Sequence, residues 1–262
     1  MVNSICIIGY KGRMGELHSK RFREEHPDIH LSGFDTGTLE LKTDGVCPDA
    51  DAYIIATPSD THYEITKRLL NQNKHVLVEK PLAMEYEQAE ELYWLAIKKG
   101  VTLLVSHTQR YNPVFIFNSP YFVGAPRLGF YSDMTHEGDI KDAVFDIMIH
   151  QLELAMFLTK QDWVAHYGRP TLNDDIITTH IRLGTTDCEL SVSYGSPNDL
   201  RVIIGNNYKL DLTQQLPDQK DALYRLHNRF LNLCETGDTP DDISFAVGAV
   251  KAAEHIQKEL FG

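Results

Sequence analysis

The sequence lacks the patterns that would indicate a membrane or nucleic-acid protein. No apolar run approaches the roughly 18 residues that a membrane span needs. The N-terminus has no basic region before its short apolar run, so we expect no signal peptide. Acidic residues outnumber basic ones by 37 to 25, which gives a formal charge of −12. Because such a chain repels phosphate groups, we expect it to bind neither nucleic acid nor an anionic membrane.

Cysteine is scarce and widely spaced in this sequence. The four cysteines (Cys6, Cys47, Cys188 and Cys234) form no Cys-x-x-Cys pair. This spacing argues against a zinc knuckle, a redox dithiol and a disulfide scaffold, and it favours a cytoplasmic location. The 12 histidines include no His-Glu-x-x-His sequence and no His/Cys cluster with ligand spacing. We therefore expect no metal site.

The first half of the chain alternates short β-rich runs with helical segments, which is typical of a parallel sheet flanked by helices. Proline, glycine and capping residues delimit the segments. The predicted strands are Ile5–Ile8, His30–Phe34, Ala52–Ala56, His75–Val78 and Val101–Val105. The predicted helices are Arg13–Glu25, Asp60–Asn71 (capped by Ser59) and Tyr86–Lys99.

The second half has consecutive strand-like runs with no helices between them, which predicts an antiparallel sheet. A helix over Ala143–Leu158 comes first, and two helices close the chain. A hairpin turn is predicted at Gly205-Asn206-Asn207. The predicted strands are Asp162–Tyr167, Ile176–Leu183, Cys188–Tyr194, Leu200–Ile204 and Lys209–Leu212. We predict two domains, 1–107 and 108–262, with C-terminal helices that could pack back on the first domain.

A glycine-rich loop, G-x-x-G-x-x-G, joins the first predicted strand to the first helix. Glycine lets the backbone turn tightly and approach a pyrophosphate, while the helix N-terminus offers N–H groups and a positive dipole end. The loop therefore predicts a phosphate-binding site. Its candidate cofactor-binding residues are Gly9, Gly12, Arg13, Met14 and Gly15.

An acidic residue follows the loop at the spacing of a dinucleotide site. Asp35 ends the second predicted strand, 20 residues after Gly15, where a carboxylate accepts hydrogen bonds from ribose hydroxyls. Since a carboxylate repels a ribose 2′-phosphate, NAD is favoured over NADP. Lys11 and Arg13 weaken that preference because either could reach a phosphate.

Two further segments follow predicted strands, at the edge where open α/β sheets bind ligands. They are Ala56-Thr57-Pro58-Ser59-Asp60-Thr61-His62 and Glu79-Lys80-Pro81. The Lys80 ammonium, beside a nicotinamide, could hydrogen-bond a substrate hydroxyl and ease loss of its proton as hydride leaves carbon. Taken alone, a Glu-Lys pair after a strand is more often a solvated turn.

Asp146 and His150 are four residues apart, so a helix places both side chains on one face. Their apolar flanks predict a buried helix, where a carboxylate and an imidazole are costly unless they are paired or used. Histidine suits proton transfer at a hydroxyl, and a nearby aspartate can orient it. The alternative interpretation is a hydrogen-bonded histidine in the core.

Together with Arg110-Tyr-Asn-Pro113, these motifs resemble the Gfo/Idh/MocA family, which is the glucose–fructose oxidoreductase and inositol dehydrogenase group. They occur in the same order as in that family, and the resemblance covers essentially the whole chain. The resemblance implies a Rossmann dinucleotide-binding domain followed by an α+β domain with an open antiparallel sheet. In this family that sheet commonly supports oligomers, so we expect a homodimer or homotetramer.

The resemblance also implies roles for individual residues. Lys80, Asp146 and His150 would be catalytic, and Arg110 and Tyr111 would lie toward the substrate. The cofactor, NAD(P), would be lined by Thr57, Pro58, Ser59, His62, Glu79 and Lys80. The implied reaction is hydride transfer between NAD and a sugar, polyol or sugar-derivative hydroxyl. NAD-assisted glycoside cleavage and a non-catalytic NAD-binding sensor remain alternatives.

Three segments depart from the family pattern. The connection 36–51 is too short for the helix and strand that members usually carry. The segment 111–145 is also short and proline-containing, which predicts the loss of a substrate-covering helix. The sequence Lys141-Asp-Ala-Val-Phe145 replaces the small glycine-containing run that often precedes the catalytic aspartate. The first departure leaves the chemistry unaffected, while the other two leave the substrate open.

Overall fold

A computed structural model of the protein describes residues 1–35, 47–135, 138–214 and 221–262. These residues form two compact units. The first unit comprises Met1–Ser106 and Leu223–Ile243, and the second comprises His107–Ala222 and Ser244–Gly262. Each unit contains its own β-sheet.

The first unit is built on a five-stranded parallel sheet with the order β2-β1-β3-β4-β5. Its strands are β1 (Ser4–Ile8), β2 (His30–Phe34), β3 (Ala52–Ile55), β4 (His75–Glu79) and β5 (Leu103–Ser106). The helices between them are α1 (Arg13–Glu25), α2 (His62–Asn71) and α3 (Tyr86–Lys99). Every residue of β3 and β5 is buried, as expected for strands covered on both faces. The strand order reverses between β1 and β3, and such a reversal creates a ligand-binding crevice at the carboxyl ends.

The five strands and three helices predicted for this unit are confirmed, with small shifts at their ends. The predicted cap at Ser59 is wrong. Residues Ser59–Thr61 form a 3-10 turn, α2 begins only at His62, and no side chain caps either element. Instead, Thr61 Oγ1 donates a hydrogen bond to the Pro58 carbonyl oxygen over 2.6 Å. The proline turn thus takes up the residues that the pattern assigned to the helix. Most of the shortened connection 36–51 lies outside the described residues.

The second unit contains a mixed sheet in the order β12-β11-β6-β10-β9-β7, with β8 paired to β9. Its strands are β6 (Arg127–Met134), β7 (His166–Tyr167), β8 (Thr171–Asn173), β9 (Ile176–Leu183), β10 (Thr186–Tyr194), β11 (Leu200–Gly205) and β12 (Tyr208–Asp211). The helices that precede and follow β6 are α4 (Pro113–Asn118) and α5 (Ile149–Thr159). A two-residue turn, Asn206-Asn207, joins β11 to β12 as predicted, and both residues have positive φ.

The second sheet was predicted to be antiparallel, and its strand pairs are antiparallel except for β6 and β10, which pair in parallel. After β6 and α5 the chain re-enters the sheet at β7, and the later antiparallel β9–β10 hairpin brings β10 beside β6 in the same direction. The sequence pattern missed β6, which carries polar Ser132 and Asp133 in its second half. The strand predicted over Asp162–Tyr167 is reduced to the two residues of β7. The segment 111–145 holds the six-residue α4, and the loss of a substrate-covering helix stays a prediction.

The two C-terminal helices belong to different units. Helix α6 (Ala222–Thr236) packs in the first unit, where Thr239, just beyond it, donates to the Val101 carbonyl and accepts from the Leu103 N–H. Helix α7 (Ile243–Phe261) lies in the second unit, where Gln257 Nε2 donates to the Lys141 carbonyl. The chain therefore returns to the first unit for α6 before it ends in the second.

Candidate active site

The glycine-rich loop lies at the carboxyl end of β1, on the crevice between β1 and β3. Gly9 has φ +85°, and a Cβ at this position would lie 2.5 Å from the Ala56 carbonyl oxygen. A Cβ at Gly15 would overlap the Gly9 carbonyl oxygen. Side chains are thus excluded by backbone atoms of the neighbouring strand and of the loop itself. Glycine at these positions lets the loop backbone pack closely against its neighbours. The loop is thereby left open to the approach of phosphate groups.

The start of α1 is open to a ligand. Its N-cap is Gly12, which has no side chain to bond the first N–H groups. Arg13 is exposed and Met14 is half-buried in the first turn. Since uncapped N–H groups and the helix dipole favour an anion, the loop fits a pyrophosphate.

The carboxylate of Asp35 lies directly beside the glycine-rich loop. Its Oδ2 atom accepts a hydrogen bond from the backbone N–H of Lys11 over 2.9 Å, across 24 residues of sequence. The side chain is half-buried at the end of β2. This contact aims the acidic group that the sequence pattern selected at the same loop that would hold the phosphates.

His62 ties together the loops that follow β3 and β4. Its Nδ1 lies 2.7 Å from the Pro81 carbonyl oxygen, and its Nε2 lies 2.9 Å from the Thr57 carbonyl oxygen. Burial lowers the pKa of His62, so the ring is neutral at pH 7. A neutral imidazole carries one N–H and donates to one of these carbonyls. The ring nitrogens of this predicted cofactor-lining residue are thus directed at the two loops.

Glu79 points into the interior of the first unit. Its Oε1 lies 2.8 Å from His18 Nε2, and the His18 Nδ1 lies 2.8 Å from His227 Nε2 on α6. Burial alone would raise the pKa of Glu79, but hydrogen bonds from His18 and Ser106 hold it below its usual value. The carboxylate of this predicted cofactor-lining residue is therefore engaged with protein groups. Lys80 follows at once, half-buried, and the Lys80–Pro81 peptide bond is cis.

Asp146 and His150 lie in the second unit, Asp146 on the turn that leads into α5 and His150 in the first turn of α5. The predicted helix over Ala143–Leu158 is confirmed, with a π-helical turn over Val144–Met148 before α5 begins at Ile149. Between the two polar side chains, Ile147–Ile149 are buried, as their apolar character predicted, while Asp146 and His150 are half-buried. Both polar groups therefore remain accessible at the edge of an apolar core.

Two residues that the sequence did not single out contact this pair. The Tyr194 hydroxyl, at the end of β10, donates to Asp146 Oδ2 over 3.1 Å. Burial and then the Asp146 charge raise the pKa of Tyr194, so the hydroxyl keeps its proton. The His107 ring meets the His150 ring edge-on, with centroids 5.6 Å apart. Sequence separations of about 45 residues left no local signal for either contact.

The predicted substrate residues Arg110 and Tyr111 also take part in a buried arrangement. Arg110 Nη1 donates to Glu153 Oε1 over 2.9 Å, and both side chains are buried. Its Nη2 donates to the Tyr111 hydroxyl over 3.1 Å. The guanidinium also lies 5.3 Å from the centroid of the Phe157 ring. These contacts anchor the turn after β5 to α5, and a contact with substrate stays a prediction.

The residues predicted for the site are distributed over both units. The first holds the glycine-rich loop, Asp35, the loops after β3 and β4, and Lys80. The second holds Arg110, Tyr111, Asp146 and His150. In the described part of the chain, no three or more His, Cys, Asp or Glu side chains are grouped to hold a metal ion. Within the same ranges, no helix is long and apolar enough to cross a membrane.

A glycine-rich loop at the reversal point of a parallel sheet, with an acidic residue at the next strand end, defines a Rossmann-type dinucleotide-binding protein. Residues 36–107 match the model of an oxidoreductase family with an NAD-binding Rossmann fold, GFO_IDH_MocA. The match confirms the resemblance found in the sequence: residues 36–107 are similar to the NAD-binding domain of Gfo/Idh/MocA oxidoreductases.

Similar proteins include enzymes that act on sugars and cyclitols. UDP-N-acetylglucosamine 3-dehydrogenase of Acidithiobacillus ferrooxidans is 29% identical over 122 residues, which are 44% of this chain and 38% of that protein. The scyllo-inositol 2-dehydrogenase (NADP(+)) of Bacillus subtilis is 39% identical over 69 residues, 26% of this chain and 19% of that protein. The matched stretches span less than two thirds of these relatives.

Structural similarity to known proteins extends over nearly the whole chain. A solved structure of the Acidithiobacillus ferrooxidans UDP-N-acetylglucosamine 3-dehydrogenase matches with a TM-score of 0.83. The match covers 98% of this chain and 97% of that chain at 20% identity. This likeness shows a shared two-domain fold.

Proposed function

We propose that this protein is an NAD-dependent oxidoreductase that transfers hydride between nicotinamide and a hydroxyl or keto group of a sugar, polyol or nucleotide-sugar derivative. The observation that carries the proposal is the hydrogen bond from the loop residue Lys11 to the Asp35 carboxylate. This bond supports the proposal because the carboxylate expected to bind the ribose lies beside the glycine-rich loop expected to hold the phosphates. The names of the relatives, which are dehydrogenases of a nucleotide sugar and of an inositol, support the substrate class.

The residues present fit a dinucleotide. The open N-terminus of α1 and the loop glycines suit the pyrophosphate, and Asp35 suits the adenosine ribose. Because the same carboxylate would repel a 2′-phosphate, NAD is the proposed cofactor rather than NADP. When bound, the nicotinamide supplies the hydride acceptor or donor.

The remaining chemistry falls to side chains of this chain. Lys80 donates a hydrogen bond from its ammonium to the reacting oxygen and stabilises the negative charge that develops there. His150 takes the hydroxyl proton in the oxidation direction and returns it in the reduction direction. Asp146, held by the Tyr194 hydroxyl, orients His150 or binds a second substrate hydroxyl.

The direct test is a panel of sugars, polyols and nucleotide sugars with NAD, followed by NADH absorbance. In Lys80→Ala and His150→Ala, turnover of the active substrate should fall by about 10²-fold or more, with NAD affinity retained. The matched controls Lys98→Ala and His30→Ala remove exposed side chains of the same types and should keep turnover.

Three results would contradict the proposal. Unchanged turnover in both variants would exclude the assigned roles. Glycoside cleavage without net NADH formation would instead favour NAD-assisted cleavage. Tight NAD binding with no turnover of any compound would favour a non-catalytic sensor.

We also propose that the chain forms a homo-oligomer through the face of the second sheet on which Arg127 and Ile204 lie. That face carries a groove of about 650 Å³ lined by charged, aromatic and aliphatic side chains, among them Arg127, Tyr131, Arg182, Glu189 and Ile204. A surface that mixes these types is suited to self-association. Light scattering should give a dimer or tetramer, and Ile204→Glu should dissociate it, whereas a monomeric wild type would refute this proposal.

A further inference from the structure

Two cysteines that are distant in sequence meet in the first unit. The Sγ atoms of Cys6 and Cys47 are 4.0 Å apart, across 41 residues of chain. Cys6 is fully buried in the middle of β1, whereas Cys47 is only half-buried. The sequence argued against a redox dithiol because it contains no Cys-x-x-Cys pair. The fold nevertheless brings two thiols together from distant parts of the chain.

Tyr53 on β3 holds the segment that follows Cys47. Tyr53 pairs with Cys6 in the parallel ladder between β1 and β3. Its hydroxyl donates to the Pro48 carbonyl and accepts from the Ala50 N–H, both over 3.1 Å. The segment before β3 is thereby folded back over the strands, which carries Cys47 onto Cys6.

The backbone beyond Cys47 is anchored at several points. Asp51 Oδ2 accepts hydrogen bonds from the N–H groups of Asn3 and Ser4 over 2.9 and 3.0 Å. Lys74 Nζ bonds Asp49 Oδ1 at 2.6 Å and the Ala50 carbonyl at 2.9 Å. Because these contacts join the 49–51 segment to β1 and to the residue before β4, the approach of the two sulfur atoms is held by the fold.

The two thiols are chemically unequal. Their mutual hydrogen bond raises the pKa of Cys6 and lowers the pKa of Cys47, and burial raises Cys6 further. The positive charge of Arg68 also lowers the pKa of Cys47. The partly exposed sulfur of Cys47 is thus the better nucleophile, and the buried sulfur of Cys6 is adjacent to it for a second reaction step.

The other two cysteines provide an internal contrast. Burial raises the pKa values of Cys188 and Cys234 to about 12. Both are buried, and among the described residues no other cysteine contacts them. We therefore treat them as unreactive thiols against which the pair can be compared.

We propose that Cys6 and Cys47 are a thiol modification site that closes to an intramolecular disulfide by exchange with a small disulfide such as glutathione disulfide. The Cys47 thiolate attacks glutathione disulfide, forming a mixed disulfide and releasing one glutathione thiolate. Cys6 then loses its proton and attacks Cys47 Sγ, releasing the second glutathione. Two protein thiols are oxidised, one glutathione disulfide is reduced to two thiols, and the two protein protons end on glutathione.

Closure needs a short movement. A disulfide requires a sulfur–sulfur distance of about 2.05 Å, so the sulfur atoms must approach by roughly 2 Å. A side-chain rotation of the half-buried Cys47 can supply much of this. Formation of the mixed disulfide also removes the Cys47 contact that contributes most to the raised pKa of Cys6. The second step is therefore eased by the first.

The test is intact-mass measurement of the folded full chain after incubation with glutathione disulfide. Wild-type protein should lose the mass of two hydrogen atoms, and peptide mapping without reduction should join the Cys6 and Cys47 peptides. A dithiol reductant should restore the original mass. The matched controls Cys188→Ser and Cys234→Ser should lose two hydrogens as the wild type does.

Two variants separate the steps. In Cys6→Ala, the attack of Cys47 is left without a second thiol, so the protein should gain the mass of one glutathione and keep it. In Cys47→Ser, the buried Cys6 should remain unmodified. A wild type that keeps its mass, or that only accumulates the glutathione adduct, would overturn the proposal. Cross-linking through Cys188 or Cys234 would overturn it equally.

Discussion

The Nδ1 atom of His18 lies 2.8 Å from Nε2 of His227, although 209 residues separate them in the chain. Both imidazoles are fully buried. His18 lies on α1, just beyond the glycine-rich loop, and its other ring nitrogen bonds Glu79, the residue before Lys80. His227 lies on α6, so a late helix completes this buried polar cluster in the first unit.

This pair predicts a pH-dependent stability. Burial, followed by the charges of His18, His26 and Arg21, lowers the pKa of His227 well below 6.5. The ring also lies 3.5 Å from Glu25 Oε2. A group whose pKa is lowered by folding stabilises the native state above its unfolded pKa, so this stability should decline as the pH falls below about 6.5.

His227→Gln should flatten that decline. Urea unfolding midpoints between pH 8 and pH 5 measure it, with the exposed His30→Gln as control. Part of the slope should remain, because burial also lowers the pKa values of His62 and His75. An unaltered slope in His227→Gln would exclude His227 as a source of the pH dependence.

Asp35 should set both the affinity and the choice of nucleotide. Asp35→Asn removes the charge, so the dissociation constant for NAD should rise about 10-fold or more, as for a lost hydrogen bond to a charged group. The ratio of NADP to NAD affinity should rise too, because the repulsion of a 2′-phosphate is gone. Calorimetric titration measures both, with the exposed Asp28→Asn as control. Equal losses for both nucleotides would separate Asp35 from cofactor choice.

Tyr194 should act through Asp146. Tyr194→Phe deletes the hydroxyl that donates to Asp146 Oδ2, which should raise the pKa of that carboxyl. The turnover should fall by roughly 3- to 10-fold, with the acidic limb of its pH profile displaced to higher pH. Tyr208→Phe, which loses a hydroxyl bond to Asn118 in the same unit, is the matched control. A profile that stays in place would assign Tyr194 a purely structural role.

The buried pair of Arg110 and Glu153 should stabilise the second unit through its charge balance. Arg110→Met leaves the Glu153 carboxylate buried without its cation, which should cost about 3–5 kcal/mol in the free energy of unfolding. Arg110→Met combined with Glu153→Leu should recover much of this loss. Urea unfolding measures both, and Arg182→Met at the exposed Arg182–Asp187 pair should have little effect. A double variant less stable than the single one would contradict this account.

Local patterns in the sequence were enough to predict the five strands and three helices of the first unit's parallel-sheet region. Four strands of the parallel sheet, all but β2, are short apolar runs, and both the loop glycines and Asp35 follow from strand ends. In the second unit the hairpin at Asn206-Asn207 was equally readable, because turn chemistry is local. The candidate catalytic residues Lys80, Asp146 and His150 were likewise selected by spacing and by resemblance.

Contacts between distant segments were decided by the tertiary structure alone. The parallel pairing of β6 with β10 depends on how the chain returns after α5, and alternation of residue types carries no strand direction. Glu79 turned inward because His18 and His227 arrive from two other helices. Cys6 met Cys47 because Tyr53 folds the chain back over β1. Sequence periodicity reports which face of an element is buried, but only packing decides which groups share that buried space.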